Sequence, residues 1–293
     1  MPLEEISSSD VDDAWRTWIV DPAVAGCRLP LASPTGSRLW ILATGAGTWT
    51  MLIINADDYG RSRFITDRIL ACIEQGSVTS TTFMVFMEDS ERAAELAKGK
   101  HVDVGLHLNF TQPFTRKRCT VRLYEQQRRV AGFLTRSRFG LLVYNPMLRN
   151  SFEYVYRSQL EEFLQLFGKP PSHFDGHHHM HLCTNMLVQH LIPAGQKVRR
   201  SFSFWPGEKS MPNRAYRALV DCWLRRRYVT TDYFFSLLQC LRMGRLNRPL
   251  AYAQNSAVEV ETHPDVEPEF DWLMGEDCAR SVSTLQQGTY AQL

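Results

Sequence analysis

From Met51 onward, short apolar runs alternate with stretches of helical spacing, and no other feature limits the fold as strongly. Leu52–Ala56 predicts a short buried strand, and Arg63–Gln75 a helix with Ile65, Ile69, Leu70 and Ile73 at helical intervals. Ser80–Met87 is β-branched and aromatic and predicts a second strand; Ser90–Lys98, opening on a Ser cap, predicts a helix. Val102–Leu108 predicts a third strand, and Phe152–Phe167 an amphipathic helix that ends at Gly168. His173–Asp175 reads as extended, Asn185–Leu191 as helical, Lys197–Ser201 as a candidate strand, Arg214–Arg227 as a helix and Ala257–Thr262 as a strand. Between Asn109 and Asn150 the chain is rich in basic and turn residues and predicts a loop. Strands alternating with helices over short connections argue for a parallel sheet covered by helices. With about six or seven such units, a β/α barrel is favoured over an open doubly wound sheet.

The first 50 residues break this pattern, with Pro22, Pro30, Pro34 and scattered Gly and Ser. They predict a poorly ordered extension over 1–50 and a barrel domain over 51–293. Leu39–Ala56 is apolar but is interrupted by Gly45 and Gly47 and ends at Asp57-Asp58, short of the ~20 apolar residues that a membrane span needs. The opening MPLEEISSSD is acidic where a secretory leader is basic. A chain of 293 residues with 44% hydrophobic residues can bury a core without staples. Its net charge of +2 gives no pull towards nucleic acid or an anionic membrane. The runs Arg199-Arg200 and Arg225-Arg226-Arg227 read as solvated surface. Seven Cys with no C-x-x-C pair argue against a disulfide framework and against a Cys-based zinc site, and predict reduced thiols in a cytoplasmic protein.

The candidate site residues lie at the ends of the predicted strands, where parallel α/β folds build their sites. Asp57 and Asp58 close the first strand; one carboxylate can ligate a cation while its neighbour stays free as a base, although capping of the next helix is an equal reading. His107 shares a strand face with Asp103 and Asn109, opposite the apolar Val104, Leu106 and Leu108. The segment His173–His181 holds five of the nine His of the chain. Extended, it would place residues 173, 175, 177, 179 and 181 on one face, four imidazoles and a carboxylate. Burying such a run without partners is unfavourable, which argues for a metal site. His263 follows a late strand and is available as a proton donor. One carboxylate with two imidazoles leaves coordination positions open, as a hydrolytic metal site requires.

Five segments in chain order carry a resemblance: NADDYG at 55–60, VTSTTFMV at 78–85, GLHLNFT at 105–111, PSHFDGHHHMH at 171–181 and VEVETHP at 258–264. They resemble the YdjC-like carbohydrate deacetylases, which include chito-oligosaccharide deacetylases acting on diacetylchitobiose. The resemblance implies a distorted (β/α) barrel akin to polysaccharide deacetylases and hydrolytic removal of acetyl from an N-acetylated mono- or oligosaccharide. It implies Asp58, His107 and His177 as ligands of one divalent ion, Mg²⁺ or Zn²⁺, and Asp57 as the proton acceptor that activates water. His263 would be proton donor or substrate contact, and Asp175, His179, His181 and Asn109 would support the ligands or face the substrate. No nucleic acid or membrane partner is implied, and a homodimer is allowed. Gly176 stands where the family commonly has Ser, and Asp265 where Gly often follows the His-Pro pair, which bears on the substrate pocket. Phe110, Phe114 and Trp205 are candidate sugar-stacking surfaces, with core packing the commoner fate of such residues. Two rivals share the ligand set: a non-haem iron oxygenase, and a barrel that binds metal or sugar without turnover.

Overall fold

The computed structural model describes residues 50–116, 119–137, 139–205 and 208–293. The expected extension over 1–50 therefore lies, apart from Thr50, outside the described residues. Six parallel strands form one sheet in the order β4-β3-β2-β1-β6-β5. They are β1 (Met51–Tyr59), β2 (Ser80–Phe83), β3 (Asp103–Leu108), β4 (Phe174–Gly176), β5 (Tyr233–Ser236) and β6 (Ala257–Thr262). β1 lies at the centre, buried along its whole length, and pairs with β6 from Met51↔Ala257 to Ala56↔Thr262. Strands covered on both faces are what continuous apolar runs produce in parallel sheets.

The two edges of the sheet approach each other through the segment 197–203. The amide of Phe174 donates to the Lys197 carbonyl at 2.9 Å on one side, and the Ser203 amide donates to the Phe234 carbonyl at 2.8 Å on the other. The sheet is thus curled into a distorted β/α barrel. The expected strand at Lys197–Ser201 is this irregular connector, bridged only at Lys197 and Val198.

Local rules account for most elements. Helix α1 (Arg63–Gln75) is capped by Ser62, whose hydroxyl accepts from the Ile65 amide, and it stops at Gly76 in the left-handed region at φ 78°. Its buried stripe is Ile65, Thr66, Ile69, Cys72 and Ile73, against the sheet. Helix capping by Asp57-Asp58 is excluded, because Ser62 fills that role. Helix α2 (Ser90–Ala97) begins one residue earlier than expected: Asp89 is its cap position, and the Ser90 hydroxyl instead donates to the Met84 carbonyl and accepts from Met87. The second strand ends at Phe83 rather than Met87, because the chain turns through Phe86 at φ 61°.

The basic region between Asn109 and Asn150 is a correction. It contains helix α3 (Val121–Thr135), which buries Leu123, Gln127, Val130 and Leu134 at helical spacing under a cover of Arg and Gln. Helix α4 (Arg149–Phe167) follows, then the short α5 (Thr184–Gln189) and α6 (Met211–Arg225). The late elements α7 (Leu237–Arg242), α8 (Asn247–Ala253), α9 (Glu267–Met274) and α10 (Glu276–Val282) had no counterpart in the sequence reading. Phe110, Phe114 and Trp205 are buried in the core and offer no stacking surface.

Candidate active site

The site begins with a break in β1. Ala56 pairs with Thr81 and Tyr59 with Phe83, so three steps on β1 match two on β2, and one extra residue is accommodated as a bulge. Asp58 sits in that bulge at φ 68°, a left-handed conformation that Asp tolerates better than most residues, at a cost of roughly 1–3 kcal/mol. In a regular strand Asp57 and Asp58 would face opposite sides of the sheet. The bulge suspends that alternation, so both carboxylates serve one buried cluster.

Asp58 Oδ1 lies 3.2 Å from His107 Nε2 and 3.0 Å from His177 Nδ1. Its other oxygen accepts from Arg61 Nη1 at 2.9 Å. Asp58, His107 and His177 each offer a ligand atom within 4.8 Å of the others, and all three are buried. They come from β1, β3 and the turn after β4, brought together by strand order. The second nitrogen of His107, Nδ1, lies 2.8 Å from Asp175 Oδ1, which fixes the ring with Nε2 towards Asp58, the carboxylate–imidazole arrangement that orients metal-binding His. Burial alone would lower the His107 pKa, but Asp175, Asp58 and Asp57 together push it well above the ordinary range. Burial would likewise raise Asp58, and the two imidazoles override it and hold it well below the usual carboxylate range.

A cation fits this donor set. His177 Nε2 is buried and without a hydrogen-bond partner among the described residues. Five carboxylates, of Asp57, Asp58, Asp175, Glu259 and Glu261, are buried here. The fully buried cation that meets most of them is Arg199. The raised His107, Glu259 and Glu261 carry protons that offset part of that charge, and a divalent ion would displace the proton of His107.

Asp57 faces Arg199. The guanidinium grips it with both arms, Nη1 to Oδ2 at 2.6 Å and Nη2 to Oδ1 at 2.7 Å. Nη1 also lies 2.7 Å from Asp175 Oδ2, and Nε donates to Glu259 Oε1 at 2.7 Å. Asn55 Nδ2 donates to Asp57 Oδ1 at 2.9 Å, and the Thr82 hydroxyl lies 3.0 Å from Asp175 Oδ2. Burial would raise the Asp57 carboxyl, but Arg199 overrides it and holds it well below the usual range. Arg199 was expected on a solvated surface; it is 0% exposed. The signal available in the sequence was its place on the predicted 197–201 strand, facing carboxylates that needed a counter-ion.

Glu259 and Glu261 were also missed. They alternate with Val258 and Val260 on the buried β6, so two carboxylates point into the barrel. Burial pushes Glu259 up to about 7, and burial with the nearby Asp57 charge pushes Glu261 up to about 8. His263 lies at the end of β6, its Nδ1 3.8 Å from Glu261 Oε1, with a third of its side chain exposed. Its ligand atom lies within 4.8 Å of those of Asp57 and Glu261. Burial would lower its pKa; Glu261 and Asp57 outweigh that and bring it to about 9.

The His-rich run does not stay extended. After Gly176 the chain turns through a 3₁₀ segment, His177–Leu182, with His178 and His179 both in the left-handed region at φ 53° and 56°. The expected shared face of residues 173–181 is therefore replaced by separate destinations. His173 packs under the sheet, stacked on Tyr290 at 3.8 Å, in space that exists because Gly105 has no Cβ; one would come 2.5 Å from the ring. His178 Nδ1 lies 3.1 Å from the Thr111 hydroxyl, and His179 Nε2 lies 3.7 Å from Glu261 Oε2. His181 Nε2 donates to the Arg199 carbonyl at 3.0 Å. Asn109 organises its own loop, accepting from the Thr111 and Gln112 amides.

Residues 51–287 match the family model described as YdjC-like protein. The chain belongs to the YdjC-like family. It is 36% identical over 225 residues to a chitooligosaccharide deacetylase of Proteus mirabilis, covering 73% of this chain and 81% of that one. It is 35% identical over 198 residues to a carbohydrate deacetylase of Geobacillus stearothermophilus, covering 66% of this chain and 75% of that one. A crystal structure of a putative cellobiose-phosphate cleavage protein from Enterococcus faecalis shares the fold, with a TM-score of 0.62 at 19% identity over 83% of this chain and 98% of that one. An all-parallel α/β sheet speaks against the iron-oxygenase rival, which would normally sit on a β-sandwich. Among the described residues no helix is long and apolar enough to cross a membrane.

Proposed function

We propose that this chain is a metal-dependent carbohydrate deacetylase that hydrolyses the amide of an N-acetylated mono- or oligosaccharide. One observation carries the reading: a buried Asp58–His107–His177 set stands directly beside a second carboxylate, Asp57, clamped by Arg199. The names of the YdjC-like relatives supply the substrate class. Residues 51–293 form the catalytic domain in this reading, and the six described Cys, none of them in a disulfide, favour a cytoplasmic setting.

Asp58, His107 and His177 would hold one divalent ion, Zn²⁺ or Mg²⁺, which when bound polarises the acetyl carbonyl and makes water more acidic. Asp57 accepts the proton of the attacking water. Arg199 keeps it ionised and fixed in direction, at the expense of basicity. His263, protonated at neutral pH, donates to the nitrogen of the departing amine as the C–N bond breaks. The products are acetate and the free amino sugar. Asp175 orients His107, His181 holds the Arg199 backbone, and His179 with the exposed edge of His263 faces the sugar.

Asp57→Asn tests this. Loss of a general base lowers turnover by about 10²–10⁴-fold, measured as acetate released from a panel of N-acetylated mono- and disaccharides, while Zn²⁺ binding by calorimetry is retained. Equal turnover in this variant would refute Asp57 as the base. A parent protein that binds Zn²⁺ but releases no acetate from any sugar in the panel would favour the non-catalytic barrel.

A further inference from the structure

At the other end of the barrel, away from the metal ligands, the turn Tyr290–Gln292 closes the sheet. Tyr290 packs with Met51, Ile53 and Ala257 at the starts of β1 and β6 and is 0% exposed. The chain leading to it is tied down repeatedly. Leu52 donates to the Gln286 carbonyl at 2.8 Å, Gly288 to the Leu52 carbonyl at 2.9 Å, and Ala291 to Asp103 Oδ2 at 3.0 Å. Gly288 leaves room for that approach, since a Cβ there would come 2.7 Å from Met51 Sδ. The Tyr290 ring stacks on His173 at 3.8 Å with 7° between planes, so its position is set without help from its hydroxyl.

That hydroxyl donates to Glu259 Oε2. The other oxygen of Glu259 accepts from Arg199 Nε at 2.7 Å, and the two arms of Arg199 hold Asp57 at 2.6 and 2.7 Å. A buried, unbroken series of hydrogen bonds therefore runs from Tyr290 to the carboxylate beside the metal ligands. The guanidinium is a planar fork, and its orientation is over-determined only if its Nε end is fixed as firmly as its arms. Nη1 has three carboxylates in reach, those of Asp57, Asp175 and, at 3.5 Å, Glu261, and the guanidinium lies over the Phe234 ring at 4.9 Å, so its arms are shared among several partners. Glu259 holds the Nε end, and Tyr290 in turn holds the other oxygen of Glu259.

We infer that Tyr290 is a positioning residue for the reaction, its hydroxyl setting, through Glu259 and Arg199, the direction in which Asp57 presents its carboxylate. This rests on the reading of Asp57 as the base. Tyr290 lies beyond residue 287, where the family match ends.

The test is Tyr290→Phe in the full chain loaded with Zn²⁺. The ring stack and buried volume are kept and only the hydroxyl is lost. The expected result is a fall in kcat on the order of 10-fold, the scale on which slight misplacement of reacting groups acts, with KM within twofold and Zn²⁺ affinity unchanged. Glu259→Gln lowers kcat similarly, and the double variant loses no more than either single one, because all act through one series of contacts. A kcat per folded molecule within twofold of the parent, or losses that multiply in the double variant, would overturn the inference. If Glu259→Gln does not fold, Tyr290→Phe is combined with Asp57→Asn and the thermal midpoints are compared. Non-additive shifts support the connection and additive shifts overturn it. That melting comparison also stands when no sugar in the panel is turned over, an outcome that defeats the deacetylase reading but not the connection.

Discussion

Replacing Arg199 by Met removes the cation on which the buried carboxylates converge while keeping much of the side-chain length. In the parent its nitrogens lie 2.6 Å from Asp57, 2.7 Å from Asp175 and 2.7 Å from Glu259. Deleting one partner of a buried ion pair costs about 3–5 kcal/mol. In a domain of this size about 1 kcal/mol moves Tm by about 2–4 °C, so the midpoint falls by roughly 6–20 °C. The contribution of Asp57 to the pH dependence also changes sign. In the parent, Arg199 overrides burial and holds Asp57 below its unfolded value, so Asp57 contributes stability that is present above about pH 3.9 and is lost as pH falls below it. Without the guanidinium, burial dominates and raises the folded value above the unfolded one. The ionised carboxylate then destabilises at neutral pH, and acidification through the raised value restores stability. Scanning calorimetry of metal-free protein at pH 5 and pH 8 checks both effects: the variant melts below the parent at both, and the gap is narrower at pH 5 than at pH 8. A variant melting within about 3 °C of the parent, with a gap that does not change between the two pH values, would refute Arg199 as the counter-ion of the cluster.

Asp58→Asn weakens Zn²⁺ binding beyond the ~10–100-fold typical of losing a group that merely orients a ligand, whereas Asp175→Asn, which frees His107, stays within that range. Calorimetric titration ranks the two, and equal losses would contradict the assignment of Asp58 as ligand. Turnover depends on protonated His263, so it is present below the raised value of about 9 and is lost as pH rises through it, with a bound cation moving that limb lower. His263→Gln removes the alkaline limb and slows the reaction by about 10²–10⁴-fold; an unchanged limb in the variant would assign the acid elsewhere. Gly105→Ala places a Cβ 2.5 Å from the His173 ring, which Tyr290 holds from its other face, and destabilises by about 1–3 kcal/mol. A thermal melt at the parent midpoint would show that the ring has room to move.

The alternation of apolar runs and helical spacing from Met51 was enough to specify a parallel α/β sheet, because strand and helix periodicity are local properties of neighbouring residues. The same locality placed Asp57, Asp58, His107 and His177 at strand ends, and a parallel sheet gathers strand ends at one mouth. Helix α3 was legible in principle through Leu123, Gln127, Val130 and Leu134, but its Arg and Gln cover hid the stripe. The tertiary structure decided the rest. The bulge at Asp58 depends on pairing with β2, and it is what lets two adjacent carboxylates share a cluster. The turn at His178 and His179 overrides strand alternation and disperses the conspicuous imidazoles, so that one of them, His177, stands beside Asp58. Arg199 could be read as a solvated residue because its partner Asp57 lies 142 residues away. Whether a charge is buried is settled by what meets it across the barrel, and no window of sequence contains both.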